Sequence, residues 1–272
     1  MSGATYDAVS AIDGRRDPRG TRALTGYSLP NAWELARRRL ELLGACHDQS
    51  SFARAHALGV RRGWRCLDAG AGGGSFARRL AARVGESGSV VAADIDTRLI
   101  EDLAAPNLEV RRIDLSTDEL EVGEFDFVHT RLFLIHVPTR EEVLRRLVAA
   151  LRPGGILMVE EDDVYPILET ATGDYRDGWD AFLAMTSEAG VDPVWARALP
   201  ERLDQLTLRD VDAEVDTQFF RGGSPAAEFW SLTWLQVRDR TDADAIDRGR
   251  AALADTARWY HGPAKLVVWG RR

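Results

Sequence analysis

The chain has 272 residues, 45% hydrophobic and 29% charged, which is enough apolar material for a full core. Its two cysteines, Cys46 and Cys66, fall in no CxxC arrangement, which excludes a disulfide scaffold and a cysteine zinc site and fits a reducing compartment. The net charge is −8 and the pI 5.3; of 35 basic residues all but Lys265 are arginines, interleaved with acids (Arg37 to Arg39 with Glu34 and Glu41) as on solvated helix faces. That pattern excludes the clustered basic stripe of a nucleic-acid binder. No run approaches the about 18 apolar residues of a membrane span, and the polar N-terminus is no signal peptide. We therefore expect a soluble, cytoplasmic protein with no nucleic-acid or membrane partner.

Residues 1–30 read as a polar arm. Asn31 is placed to cap a helix with Trp33, Leu35, Leu40 and Leu43 on one stripe and Gly44 as its stop. A second helical stretch covers Phe52 to Leu58. Strands and helices then alternate. Strands are expected at Trp64 to Asp68, Ser89 to Ala93, Leu108 to Ile113, Phe125 to His129 and Ile156 to Glu160. Helices are expected at Ser75 to Val84, Arg98 to Ala104 and Arg140 to Leu151. Such alternation predicts right-handed βαβ units and a parallel sheet. From residue 164 the chain is aromatic and helical, interrupted by an exposed strand at Val211 to Phe220 and closed by an apolar strand at Lys265 to Trp269. The expected fold is an α/β, Rossmann-like seven-stranded, mostly parallel sheet with helical lid insertions and an antiparallel C-terminal strand. It divides into an arm and helical lid (1–59), a core (60–163), and acceptor-pocket helices with the final strands (164–272), all in one integrated domain.

The most informative stretch is Asp68-Ala-Gly70-Ala-Gly72-Gly-Gly74-Ser75, where a strand ends, glycines permit a tight turn, and a helix begins with free N–H groups. The register Gly70-x-Gly72-x-Gly74 departs from the G-x-G-x-x-G of dinucleotide folds, whose third glycine falls at Ser75. Asp68 sits badly beside a pyrophosphate and suits an ammonium or sulfonium group. Asp94 and Asp114 close the next two strands, placed to accept ribose hydroxyls and an adenine amino proton. Three acids at three successive strand ends describe a pocket for a cationic nucleoside; the competing reading is that Asp68 and Asp114 merely cap the helices that follow.

With Val91-Ala-Ala-Asp94-Ile95-Asp96, Arg112-Ile-Asp114-Leu115, Phe125-Asp126-Phe-Val-His129 and Leu151-Arg-Pro153-Gly154-Gly155 in the same order, residues 60–163 resemble the class I S-adenosylmethionine-dependent methyltransferases, and the whole chain resembles their small-molecule, natural-product branch. The resemblance implies that S-adenosylmethionine is the cofactor and S-adenosylhomocysteine its product. It implies that Gly70, with Gly72 and Gly74 in the same loop, holds the methionine part, Asp94 the ribose, Ile95 and Leu115 the adenine, and Asp114 its amino group. The His129 backbone would meet the amino-acid end, and Tyr27 would belong to an N-terminal lid over the cofactor.

For the chemistry, His136 follows the fourth strand and belongs to a residue type that titrates near neutrality, with packing beneath the cofactor as the strong competing use. Glu160-Glu161-Asp162-Asp163 follows the fifth strand; alternation sets Glu161 and Asp163 on one side and Glu160 and Asp162 on the other. We take Glu161 and Asp163, with His136, as candidates to orient or deprotonate an acceptor, against the alternative of a solvated acidic turn. Arg131 is placed to pair with the cofactor's carboxylate, or to serve as a cap or surface residue. No metal site is expected. Six of the eight tryptophans lie beyond residue 178, which favours an apolar lid and a large, flat or greasy small-molecule acceptor over a sugar or amino acid, although helical aromatics also serve as core. The reaction expected is methyl transfer to such an acceptor in secondary metabolism; a cofactor-retaining cyclase or rearrangement on the same fold is the alternative. The oligomeric state, with a homodimer among the options, stays open.

Overall fold

A computed structural model describes residues 29–272. The strands are β1 (Arg65–Ala69), β2 (Ser89–Asp94), β3 (Leu108–Arg112), β4 (Phe125–Arg131), β5 (Leu151–Asp163), β6 (Arg209–Arg221) and β7 (Trp259–Arg271). The helices are α1 (Ala36–Ala57), α2 (Ser75–Val84), α3 (Arg140–Ala150), α4 (Tyr165–Thr170), α5 (Gly173–Glu188), α6 (Leu199–Gln205), α7 (Pro225–Val237) and α8 (Ala243–Ala254).

The strands form one sheet in the order β3-β2-β1-β4-β5-β7-β6. Pairing is parallel from β3 to β5, and β7 is antiparallel to both β5 and β6. The chain winds outward from β1 to β3 and then returns to β1's other side as β4. That reversal opens a crevice at the carboxyl ends of β1 and β4, where open α/β sheets take their ligands. Both faces of the central strands are covered, which is why they read as apolar runs. Phe76, Leu80 and Val84 of α2 pack on one face, and Val143, Leu144 and Leu147 of α3 on the other. A third cluster around Trp179, Phe182 and Trp234 joins α5, α7 and α8 above the carboxyl edge. The outer strand β6 is mostly exposed and carries Asp212, Glu214 and Asp216, charges that discourage further strand pairing. Among the described residues no helix is long and apolar enough to cross a membrane.

Three sequence expectations give way to packing. One continuous helix, α1, replaces the two short ones, and Gly44 lies within it. A Cβ at Gly44 would stand 2.7 Å from Ser75 Oγ, so a residue that weakens a helix is present to bring α1 against α2. Asn31 does not cap this helix; Leu35 occupies that position, and Asn31 Nδ2 donates to the Asp96 carbonyl at 3.3 Å. Residues 98–104 form two 3-10 turns, Thr97–Leu99 and Glu101–Leu103, instead of an α-helix. Gly44→Val is expected to lower stability by about 1–3 kcal/mol in urea unfolding, because the added methyls meet Ser75 and Asp48.

Candidate active site

The crevice holds a cavity of about 540 Å³. Its floor is the glycine loop, which turns through left-handed conformations at Gly70 (φ 74°) and Gly72 (φ 54°). A Cβ at Gly70 would stand 2.7 Å from the Phe133 ring, so the loop and the segment after β4 approach as closely as backbone permits. Gly72 N–H donates to Asp94 Oδ2 at 2.8 Å and Asp96 N–H to Oδ1 at 3.0 Å, which fixes the Asp94 carboxylate at the end of β2. Burial pushes its pKa upward against those two donors. At the end of β3, Asp114 Oδ1 accepts from Ser116 N–H at 2.9 Å while the residue lines the cavity. Ile95 and Leu115 line it as well. Gly74 does not. Its left-handed backbone lies against Leu103 and Ile100, so it serves packing beneath the loop. Tyr27 lies outside the described residues.

Below this floor a row of charge crosses four neighbouring strands. His129 on β4 lies opposite Asp68 on β1 and is 1% exposed. Its Nδ1 is 2.7 Å from Asp68 Oδ1, and its Nε2 is 3.1 Å from Glu160 Oε1 on β5. Lys265 Nζ on β7 is 3.1 Å from Glu160 Oε2 and donates to Ser50 Oγ of α1 at 2.7 Å. Ser51 donates to Glu160 Oε2 at 2.8 Å. Burial disfavours the charged imidazole, but hydrogen bonds to Asp68 and Glu160 outweigh it and raise the His129 pKa. Burial likewise opposes the Glu160 charge, yet the bond from His129 and the nearby cations His129, Lys265 and Arg131 hold it well below the usual carboxylate range. The His129 side chain thus links β1 to β5, where the sequence pointed to its backbone.

Arg131 is also committed elsewhere. Its Nη2 donates to Asp48 Oδ1 at 2.9 Å and its Nη1 to Ser51 Oγ at 3.0 Å, which ties β4 to α1, although the residue still lines the cavity. The four acids at the end of β5 divide by strand alternation, with the cavity on the side opposite to the one expected. Glu161 is fully buried on the far face and accepts from Phe133 N–H at 3.1 Å and Leu134 N–H at 2.7 Å. It holds the segment after β4, which leaves the strand through Leu132 at φ 50°, a conformation costing about 1–3 kcal/mol for a non-glycine residue. Burial pushes the Glu161 pKa up to about 8. Asp163 pairs with Arg197 and accepts from Tyr165 N–H at 2.8 Å. Neither Glu161 nor Asp163 lines the cavity; Asp162 does. Burial pushes the Asp162 pKa up to about 7 against the pull of Lys265, with Glu160 and Asp163 adding to the rise. His136 lines the cavity, but burial, with the cations Arg39 and Arg140, lowers its pKa to about 4, so it is neutral at physiological pH.

The roof is aromatic. Trp179, Phe182, Phe229 and Trp230 line the cavity, whereas Trp234 is core behind them, Trp195 bonds Glu141 and Trp269 packs on the sheet. Arg39 of α1 also lines the cavity. It is 4% exposed, where the sequence had assigned it to a solvated face.

A profile of the methyltransferase domain matches residues 67–159. The ubiquinone/menaquinone biosynthesis C-methyltransferase UbiE of Azotobacter vinelandii is 34% identical over 170 residues, 53% of this chain and 67% of that protein. The chain belongs to the S-adenosylmethionine-dependent methyltransferases. A second methyltransferase, str2 of Strobilurus tenacellus, is 30% identical over 162 residues, so the match spans only 58% of that relative's length and 56% of this chain. In fold alone the methyltransferase chain is similar to the [4+2]-cyclase SpnF, with a TM-score of 0.52 and 18% identity over 83% of this chain and 80% of that one.

The residues present fit the family's cofactor. Four carboxylates, Asp68, Asp94, Asp114 and Asp162, line the cavity with Arg39, Arg131 and His129, an acid-rich lining that suits a cationic nucleoside. Asp94 is preorganised by two backbone donors and keeps lone pairs for a diol. Asp94→Ala is expected to weaken S-adenosylhomocysteine binding by about 1–3 kcal/mol in calorimetry, with the fold retained. Lys265→Met leaves Glu160 short of a buried counter-charge and is expected to cost about 3–5 kcal/mol of stability in urea. Adding Glu160→Gln recovers part of that loss, a coupling that a double-mutant cycle reads directly.

Proposed function

We propose that this protein transfers a methyl group from S-adenosylmethionine to an apolar or aromatic small-molecule acceptor, an intermediate of secondary metabolism, and that Asp162 takes up the acceptor's proton. One observation carries the reading. A single cavity runs from the acidic glycine-loop floor to a roof of Trp179, Phe182, Phe229 and Trp230, with Asp162 on its wall. S-adenosylmethionine, when bound, supplies a methyl carbon made electrophilic by a positive sulfur. Displacement at such a carbon is governed by orientation, and an aromatic slot above the floor supplies orientation for a flat ring. Asp162 favours proton uptake because its pKa, pushed up to about 7, matches the working pH; His136, lowered to about 4, is a weak base there. The relative active in quinone biosynthesis by C-methylation supports an acceptor of this apolar kind.

Incubation with S-adenosylmethionine and a panel of apolar aromatic acceptors, with products weighed by mass spectrometry, tests the reading. A product heavier by one methyl group is expected; a product of unchanged mass identifies a cyclisation or rearrangement instead. With an accepted substrate, kcat is expected to rise with pH through about 7 as Asp162 loses its proton. Asp162→Asn removes that limb and lowers kcat by about 10²–10⁴-fold at unchanged S-adenosylhomocysteine affinity. An unchanged kcat in that variant removes Asp162 from proton transfer.

A further inference from the structure

A buried arginine at the cavity wall has no counterpart in the scheme above. Arg39 is 4% exposed and lines the cavity, and its Nε and Nη2 have no hydrogen-bond partner among the described residues. Nor does it form an ion pair with any of them. A guanidinium held in that state is costly unless an anion arrives to meet it.

The two unpartnered nitrogens form one edge of the guanidinium, the edge that grips a carboxylate through two parallel N–H···O bonds. This chain uses that edge repeatedly. Arg38 Nε and Nη2 donate to the Glu228 carboxylate at 2.9 and 2.8 Å. Arg238 grips Asp247 at 2.8 and 2.5 Å, and Arg111 grips Glu109 at 2.5 and 2.7 Å. In Arg39 the same edge is buried with no partner among the described residues.

The two stripes of α1 indicate which ligand. Leu40, Gly44, Asp48 and Ser51 face the glycine loop and the charge row: a Cβ at Gly73 would lie 3.1 Å from Leu40, one at Gly44 would meet Ser75, and Ser51 donates to Glu160. Arg39, Leu43, Cys46 and Ser50 form a different stripe, spaced for one helix face. Cys46 lies beside Asp162, Phe229 and Trp230 in a small second cavity, and Ser50 accepts from Lys265 on β7. The neighbouring Arg38 reaches Glu228, one residue before Phe229. Arg39 therefore belongs to the lid side, within electrostatic reach of His136.

We propose that Arg39 recognises a carboxylate on the acceptor, so that the substrate class is an apolar, ring-bearing carboxylic acid bound as its anion. This rests on the cavity being an acceptor pocket, as argued above. The aromatic roof takes the ring, the Nε/Nη2 edge takes the carboxylate, and Asp162 stays clear of both for the proton.

The test uses the full chain saturated with S-adenosylhomocysteine and compares 2-naphthoate with its neutral isostere 2-naphthamide by calorimetry. The wild type is expected to bind the carboxylate about tenfold or more tightly than the amide. Arg39→Gln is expected to erase that difference, Arg39→Lys to keep part of it, and both to leave S-adenosylhomocysteine affinity within about threefold. The wild-type comparison stands by itself should a variant fold poorly. Equal binding of the two naphthalenes, or binding of neither, overturns the proposal while leaving the cofactor pocket and methyl transfer intact. A tenfold or greater loss of S-adenosylhomocysteine affinity in Arg39→Gln, with 5′-methylthioadenosine unaffected, also overturns it, because the guanidinium then holds the cofactor's own carboxylate. Failure of wild-type protein to bind S-adenosylhomocysteine at all strikes the methyltransfer reading itself and is recognisable as such.

Discussion

The rest of the site depends on a buried row of alternating charge: Asp68, His129, Glu160 and Lys265, one from each of four adjacent strands. Each member is hydrogen-bonded or ion-paired to its neighbour, so the row holds together only while all four strands are in register and α1 covers them. Ser50 and Ser51 of α1 complete the hydrogen bonding at its far end, and Asp48 neutralises Arg131 beside it. Fixing Asp68 and His129 in this way fixes the carboxyl ends of β1 and β4, between which the glycine loop must turn. Desolvation makes such a row demanding, and the same desolvation makes it directional.

The four consecutive acids at the end of β5 show how a sheet's two faces separate identical chemistry. Glu160 balances cations beneath the cavity, Glu161 gathers backbone donors on the opposite face, Asp162 faces the cavity, and Asp163 anchors Arg197. None of the four is a solvated turn. Their different acidities follow from environment alone: cations depress Glu160, while burial without adequate counter-charge raises Glu161 and Asp162.

What the sequence discloses is what the local backbone demands. Glycines at left-handed positions, acids closing strands and apolar runs buried on both faces are short-range necessities, so the mostly parallel sheet, the glycine loop and the placement of Asp94, Ile95, Asp114 and Leu115 along the cavity were all legible. Which side of β5 faces the cavity was not, because alternation gives parity without direction until α1 is docked. The same docking hid Gly44, which reads as a stop but marks a crossing, and Arg39, which in a run of three arginines reads as solvated. One signal was available for the charge row: the sole lysine in a chain rich in arginine stands in the middle of the apolar terminal strand.

The reversed direction of β7 has a practical side. It brings Lys265 opposite Asp162 near the cavity and then carries the chain away to the far edge of the sheet, where Arg272 N–H donates to the Gly155 carbonyl at 2.9 Å and Gly154 N–H donates to Arg272 O at 2.7 Å. A peptide, label or immobilising surface joined at Arg272 therefore emerges on the face remote from the cavity mouth, so tethering there leaves ligand entry unobstructed.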